Sequence, residues 1–333
     1  MSRATTAPVE ENGPPAQEGA DTGPLSPASA VPAAGPTRGR YQLMVLCAVC
    51  CLALGGVFVR ISEIGPVATG AYRSLFAAPM LLGIALGTAR RAPGTAEPAR
   101  GARIEWRDRL MIALGGLFLA GDLCLWNISF LYTSLAESNL LANLVPFIIA
   151  PLCFFLFGDR LPWQLVLPAV LALAGLYILV ILGTGLDPKH LRGDLLALAT
   201  AVFYALFLVI AKGLRERYEA TRIMASLSLV CAVVCFAVAA VLGEGLVPHT
   251  LRGWAVLVAL AVTSQVFGQT LMAHAVKFLP LQLAALFVLL QPVAAAVYGF
   301  FLFDQRLSLL QLAGIAMLLV SIFWAKNLLE ERK

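Results

Sequence analysis

The chain has 333 residues, 60% hydrophobic and 13% charged, with a mean hydropathy of +0.85 and a formal net charge of +5. A soluble chain carries about 25% charged residues, so soluble domains of this length are excluded for want of polar surface. The basic residues lie between apolar runs rather than on one soluble face, which argues against a nucleic-acid partner and makes them reporters of membrane orientation.

Residues 1–40 hold seven prolines among Ala, Gly and Ser, with no apolar run. That composition buries too little surface to offset ordering entropy, so a disordered cytoplasmic tail is expected. It is not a secretory signal, because no basic segment leads directly into an apolar core. From Tyr41 onward come ten apolar runs of roughly the twenty residues that an α-helix needs to cross a hydrocarbon core. They fall at 42–60, 66–88, 109–128, 134–157, 163–183, 193–213, 222–242, 253–273, 279–303 and 309–327. Several connections are so short, 60–66 and 129–134 among them, that neighbouring helices should form antiparallel hairpins.

All seven cysteines (Cys47, Cys50, Cys51, Cys124, Cys153, Cys231 and Cys235) lie inside apolar runs. None has the loop context of a disulfide framework or zinc finger, so they read as small packing residues. A soft-metal site at Cys47, Cys50 and Cys51 is the lesser alternative, with no His or acid beside it.

If the amino terminus is cytoplasmic, eighteen Lys and Arg fall on the inside and five on the outside, with Arg73 within a span. Such a positive-inside bias supports an even number of spans and cytoplasmic termini, in the inner membrane of the cell.

The chain also repeats itself. Phe154-Phe155-Leu156-Phe157 with Arg160-Leu161 matches Phe300-Phe301-Leu302-Phe303 with Arg306-Leu307 at an offset of 146, and the same offset carries Pro146 onto Pro292 and Tyr132 onto Phe278. With five spans each, an odd number, the halves must cross the membrane in opposite senses. The expected fold class is therefore an all-α integral membrane protein, ten transmembrane helices arranged as two inverted five-helix repeats, residues 41–184 and 192–327. Inverted repeats of this kind place a substrate site near the bilayer midplane between them.

At these motifs the chain resembles the drug/metabolite transporter superfamily, specifically its EamA-like ten-helix members. The resemblance covers residues 41–327 and is carried by Pro66 with Arg73, by Tyr132-Thr133-Ser134 leading to Pro146 and then Gly158-Asp159-Arg160-Leu161, and by Gly193-Asp194-Leu195-Leu196. Lys277-Phe278-Leu279-Pro280 leading to Pro292 and Arg306-Leu307 completes it. Family members usually have Glu where Asp159 and Gln305 stand, and the second half has Ala225 and Ser226 near the place of a partner for Arg73. The resemblance implies movement of small metabolites by alternating access.

An ionised side chain at mid-span costs about 2.5 to 3.5 kcal/mol, so each one retained is a candidate for function. Asp122 lies deep in the third span, and Trp126 shares its face at i,i+4. That face either lines a substrate cavity or, with Asp122 neutralised, ties two helices together. In the fourth span Asn139 and Asn143 share a stripe running toward Pro146, with donors and acceptors that suit zwitterionic or hydroxylated solutes. Pro146 cannot donate to the carbonyl one turn earlier, so an opening near Asn143 is expected. Glu137 serves either the site or the rim.

In the second half Gln265 and Gln269 sit at i,i+4 and Gln291 precedes Pro292; the substrate and interhelical hydrogen bonding are both open to them. Arg73 is a counter-charge to Asp122 or Glu137, a ligand for a substrate carboxylate, or a side chain that snorkels to the headgroups. The resemblance favours an inward role. His274, beside Lys277, is an interfacial anchor before it is a proton relay and stays outside the candidate site. The candidate substrate-binding set is therefore Asp122, Trp126, Asn139, Asn143, Gln265, Gln269, Gln291 and Arg73.

None of the five lysines follows a glycine, so there is no phosphate-cradling nucleotide loop, and HExxH and GxSxG are both absent. Three histidines are too few for an intramembrane multi-histidine metal enzyme. A secondary transporter, proton-coupled through Asp122 or Glu137 or else a passive facilitator, is the leading reading. A membrane-embedded lipid-modifying enzyme is the alternative, and a sensory or structural protein is third. No cofactor or metal is expected; the expected partners are a small-molecule substrate and the lipid bilayer, with the oligomeric state open.

Overall fold

The computed structural model of the chain describes residues 36–91, 105–133, 135–157, 163–180, 191–303 and 308–330. Most of the expected tail, the Gly158-Asp159-Arg160-Leu161 motif, Gln305-Arg306-Leu307 and the Glu137 side chain lie outside the described residues. Those described are helical or in short connections, without a strand.

The first half runs α1 (Pro36–Arg60), α2 (Pro66–Arg91), α3 (Trp106–Ser129), α4 (Leu135–Ala142), α5 (Val145–Phe157) and, after a 3-10 turn at Trp163–Leu165, α6 (Val166–Val180). The second runs α7 (Leu191–Arg215), α8 (Ala220–Val241), α9 (Leu251–Leu260), a π-helical stretch (Ala261–Gln269), α10 (Thr270–Ala275), α11 (Leu281–Val288), α12 (Gln291–Phe303) and α13 (Leu309–Glu330). Helix α1 therefore starts inside the segment expected to be tail. Pro36 is suited to that first position, where no N–H is needed.

Eight helices among the described residues are long and apolar enough to cross a membrane, rather than the ten expected. The other two runs survive as the shorter apolar helices Val145–Leu156 and Trp163–Ile178. The fourth run is shortened by a break at Asn143 and Leu144, which separates α4 from α5. Its cause is local: α4 ends at Ala142, four residues before Pro146, where the proline lacks the N–H that would continue the ladder. The second half breaks in the same register, α11 ending at Val288 four residues before Pro292 and α12 restarting at Gln291.

The exterior is apolar over a wide area, with Phe155 80% exposed and Phe301 74%. Water would not tolerate so large an apolar surface, whereas lipid is matched to it. Phe154 and Phe155 meet edge to face at 5.3 Å, and Phe300 and Phe301 do the same at 5.1 Å. The repeated Phe pair is thus an outward-facing feature of both halves.

The most extensive helix contacts pair one half with the other, α2 on α8, α3 on α7 and α8, and α6 on α13. Close approach depends on small residues, as is usual between helices in lipid. A Cβ on Gly175 of α6 would lie 2.8 Å from the Gly314 carbonyl oxygen of α13. Only a residue without a side chain fits there.

The halves are also pinned at one end by reciprocal caps. Gly243 takes a positive φ of 68° at the end of α8, and Glu244 N then donates to Ala239 O at 3.0 Å. This turn carries the Glu244 carboxylate to the start of α2, where the Val67 and Ala68 N–H groups donate to it at 3.2 and 2.8 Å. In return Glu63 accepts from the N–H groups of His249 and Thr250, each at 3.1 Å, and from the Thr250 hydroxyl at the start of α9.

Candidate functional site

A cavity of about 150 Å³ lies between the halves, lined by residues of α1 to α4 from one side and of α7, α11, α12 and the π-helical stretch from the other. Asp122 and Trp126 share its wall, as their common helical face requires. Asn139 and Asn143 line it just before the Pro146 break, while Gln291 lines it at the matching Pro292 break. Arg73 and Gln269 complete the expected residues on the wall.

Gln265 is the exception. It is fully buried and lies behind Arg73 instead of on the wall: Arg73 Nε donates to Gln265 Oε1 at 2.9 Å, and Gln265 Nε2 donates to Ser228 Oγ at 3.0 Å. Snorkelling of Arg73 is excluded in this arrangement, because the residue is 5% exposed and tied inward. The expected α-helix of the eighth span is instead π-helical from Ala261 to Gln269, with Thr270 Oγ1 donating to Gln265 O at 3.2 Å. Such stretches recur at functional sites. Here α1 presses against it, Ser264 Oγ donating to Cys51 O at 3.2 Å.

Arg73 Nη2 has no hydrogen-bond partner, and neither has Asn143 Oδ1, although both atoms are buried. Asn143 Nδ2 is engaged with Asn139 O at 2.6 Å. No salt bridge joins Arg73 to Asp122, although both line the cavity. The cavity thus holds a guanidinium, a carboxylate, amides and an indole with part of their hydrogen-bonding capacity unspent.

Thr200 and Tyr204 of α7 line the cavity and were not among the residues singled out in the sequence. Tyr204 Oη donates to Gln269 Oε1 at a long 3.5 Å. Their i,i+4 spacing inside an apolar run is the signal that drew attention to Asn139 and Asn143, and it applies to them equally. Arg60, at the end of α1, also reaches the wall.

Two stretches of the resemblance touch each other beside the site. Thr133 Oγ1 donates to Asp194 Oδ1 at 2.8 Å, and a Cβ on Gly193 would lie 2.6 Å from Thr133 Cβ. Small size at 193 and an acid at 194 therefore join the start of α7 to the end of α3. His274 sits away from the cavity, its ring 5.4 Å from Phe278 and its Nδ1 3.4 Å from Arg215 Nη2. Among the described residues no group of three or more His, Cys, Asp or Glu is placed to hold a metal.

The EamA-like transporter family matches the chain twice, over residues 39–181 and 191–326. An uncharacterized transporter of Archaeoglobus fulgidus is 27% identical over 194 residues, covering 58% of this chain and 67% of that protein. The uncharacterized transporter YetK of Bacillus subtilis is 25% identical over 219 residues, 64% of this chain and 66% of the relative. The matches thus span about two thirds of the length of these relatives. A solved crystal structure superposes with a TM-score of 0.72 at 21% identity, covering 87% of this chain and 98% of the other, a likeness of fold.

Proposed function

Because this chain belongs to the EamA-like transporter family, we propose that it is a secondary transporter, exporter or permease, which moves a small metabolite or drug-like solute by alternating access. The observation that carries this reading is the cavity itself, whose polar wall is built by residues from both matched halves. A site shared between repeats is exposed to one side or the other as the repeats rock, with no covalent step. A lipid-modifying enzyme finds no support in the family or in its relatives, which are named as transporters.

The finer architecture belongs to the same proposal. Ten spans result when α4 with α5 is counted as the fourth and α6 as the fifth. Exchanging the halves carries the contact of α3 with α7 onto that of the π-helical stretch with α1, and the contact of α4 with α7 onto that of α11 with α1. Both contacts are present, and the proline breaks share one offset, which supports a duplicated unit; with five spans in each half, an odd number, the two units are oppositely oriented. The distribution of Lys and Arg supports cytoplasmic termini and residence in the inner membrane.

Proton coupling is assigned to Asp122, the acid on the cavity wall. Uptake into proteoliposomes should depend on a pH gradient in the wild type and lose that dependence in Asp122→Asn. Unchanged gradient dependence in the variant would remove Asp122 from the proton path and leave facilitated diffusion or another acid. Failure of any solute to cross, across amino acids, nucleosides and cationic drugs, would end the transporter reading.

A further inference from the structure

The stretch Ala261–Gln269 keeps a π-helical form over nine residues, although that form is rare and occurs mostly as single turns. No proline lies between Leu251 and Ala275, so nothing in the backbone forbids an α-helix there. The other half shows the regular form. The repeat offset of 146 carries α3 (Trp106–Ser129) onto 252–275, and α3 is α-helical throughout. One repeated unit is thus held in two secondary structures, α where α3 meets α7 and π where its counterpart meets α1.

Side-chain tethers hold the π form, and two of them come from the opposite half. Ser264 Oγ donates to Cys51 O of α1 at 3.2 Å, and Gln265 Oε1 accepts from Arg73 Nε of α2 at 2.9 Å. Helix α1 sits close because both sides are small at the contact: a Cβ on Gly55 would lie 3.1 Å from Ser264 Oγ, and one on Gly268 3.0 Å from Leu52 Cγ. Within the stretch Thr270 Oγ1 donates to Gln265 O at 3.2 Å, five residues back, which is the spacing of the π form. A fixed kink would need a cause that persists in every arrangement of the halves, as a proline does. The tethers to Cys51 and Arg73 last only while α1 and α2 stay seated on the stretch.

We propose that Ala261–Gln269 is a register switch, which tightens into α-helix as the halves rearrange, releasing Gln265 from Arg73 and turning α10 against α1. The inference rests on the alternating-access reading for the rearrangement itself, and goes beyond it by naming a segment that changes its secondary structure. A π turn holds more residues than the 3.6 of an α turn, so tightening rotates and advances whatever follows. Helix α10 follows directly, and at its end the Tyr41 ring of α1 lies 6.2 Å from His274 and stacks on Phe278 at 4.3 Å. Tightening therefore pulls at that stack. It also takes the Nε acceptor from a buried guanidinium, so the setting of Arg73 on the cavity wall and the packing at the Tyr41 end change together.

The sequence contains a single Gln-Val pair, Gln265-Val266, and a single Gln-Thr pair, Gln269-Thr270, so carbonyl-labelled glutamine with nitrogen-labelled valine or threonine isolates one peptide bond at a time. Solid-state NMR of the full-length protein in liposomes should show, at each pair, a major carbonyl signal and a minor one at the regular α-helical position. Ser264→Ala, read at Gln265-Val266, and Gln265→Leu, read at Gln269-Thr270, should each raise the minor share about fivefold, the factor carried by one ordinary hydrogen bond. A single signal in the wild type and both variants would overturn the proposal, as would two signals whose ratio ignores both substitutions; the wild-type spectrum needs no variant to fold. Uptake by the same liposomes separates the two readings. Two signals that respond to the substitutions, without uptake of any amino acid, nucleoside or cationic drug, keep the switch and remove the transporter reading. Uptake through a protein with one unmoving signal does the opposite.

Discussion

Arg73 on α2 and Gln265 in the π-helical stretch are joined by a 2.9 Å hydrogen bond that aims the guanidinium from behind, Gln265 itself being held by Ser228 at 3.0 Å. Gln265→Leu should remove one donor's partner from a buried charge, a loss of about 1.5–3 kcal/mol for a hydrogen bond to a charged group. The apparent Tm in detergent should fall accordingly. Gln265→Glu, which keeps an acceptor for Nε, should retain more of the stability.

Asn143→Leu should depress transport while leaving the protein folded. The substitution removes the Nδ2 contact to Asn139 O but leaves the break before Pro146, whose cause is the proline. Uptake rates beside size-exclusion profiles are the measurement; wild-type rates would remove Asn143 from the solute path.

The reciprocal caps give an acid dependence with a definite sign. The Thr250 hydroxyl, helped by the Thr250 and His249 backbone N–H groups and the charge of His249, holds the Glu63 carboxyl below its ordinary value. A carboxyl lowered in the folded state contributes stability above its unfolded pKa and loses it as the pH falls through the folded one. Wild type should therefore outlast Glu63→Gln on heating at neutral pH, and the difference should vanish as the pH is taken below the ordinary carboxylate range. A constant difference at every pH would show that the charge of Glu63 is irrelevant to the cap.

Gly175→Ala should destabilise the contact of α6 with α13 by about 1–3 kcal/mol, the usual cost of overpacking. The added methyl group would lie 2.8 Å from Gly314 O and 2.9 Å from Leu318 N, both backbone atoms that cannot step aside. Gly213→Ala in α7 is the control: nothing lies within 4 Å of its Cβ position. There the helix should be steadied by roughly 0.5–1 kcal/mol. Thermal unfolding of the two variants should shift in opposite directions.

Much of the architecture was open to reading from the residues alone because its causes are local. Run length reports partition into a bilayer, and Pro146 and Pro292 interrupt their helices by lacking an N–H, whatever surrounds them. Polar pairs at i,i+4 likewise mark one helical face, and Asp122 with Trp126 and Asn139 with Asn143 share the cavity wall for that reason.

What periodicity cannot state is which face meets which. Gln265 and Gln269 have the same spacing, yet only tertiary packing sends one behind Arg73 and the other to the wall beside Tyr204. The caps by Glu63 and Glu244 join loops 186 and 177 residues apart, at helix ends whose open N–H groups leave no trace in composition. The sequence by itself determined membrane residence, the repeat and the breaks, since each follows from a residue and its near neighbours. The enclosed charges, the positioning of Arg73 and the pinned ends were decided by the tertiary structure alone, because they depend on distant segments approaching to within a hydrogen bond.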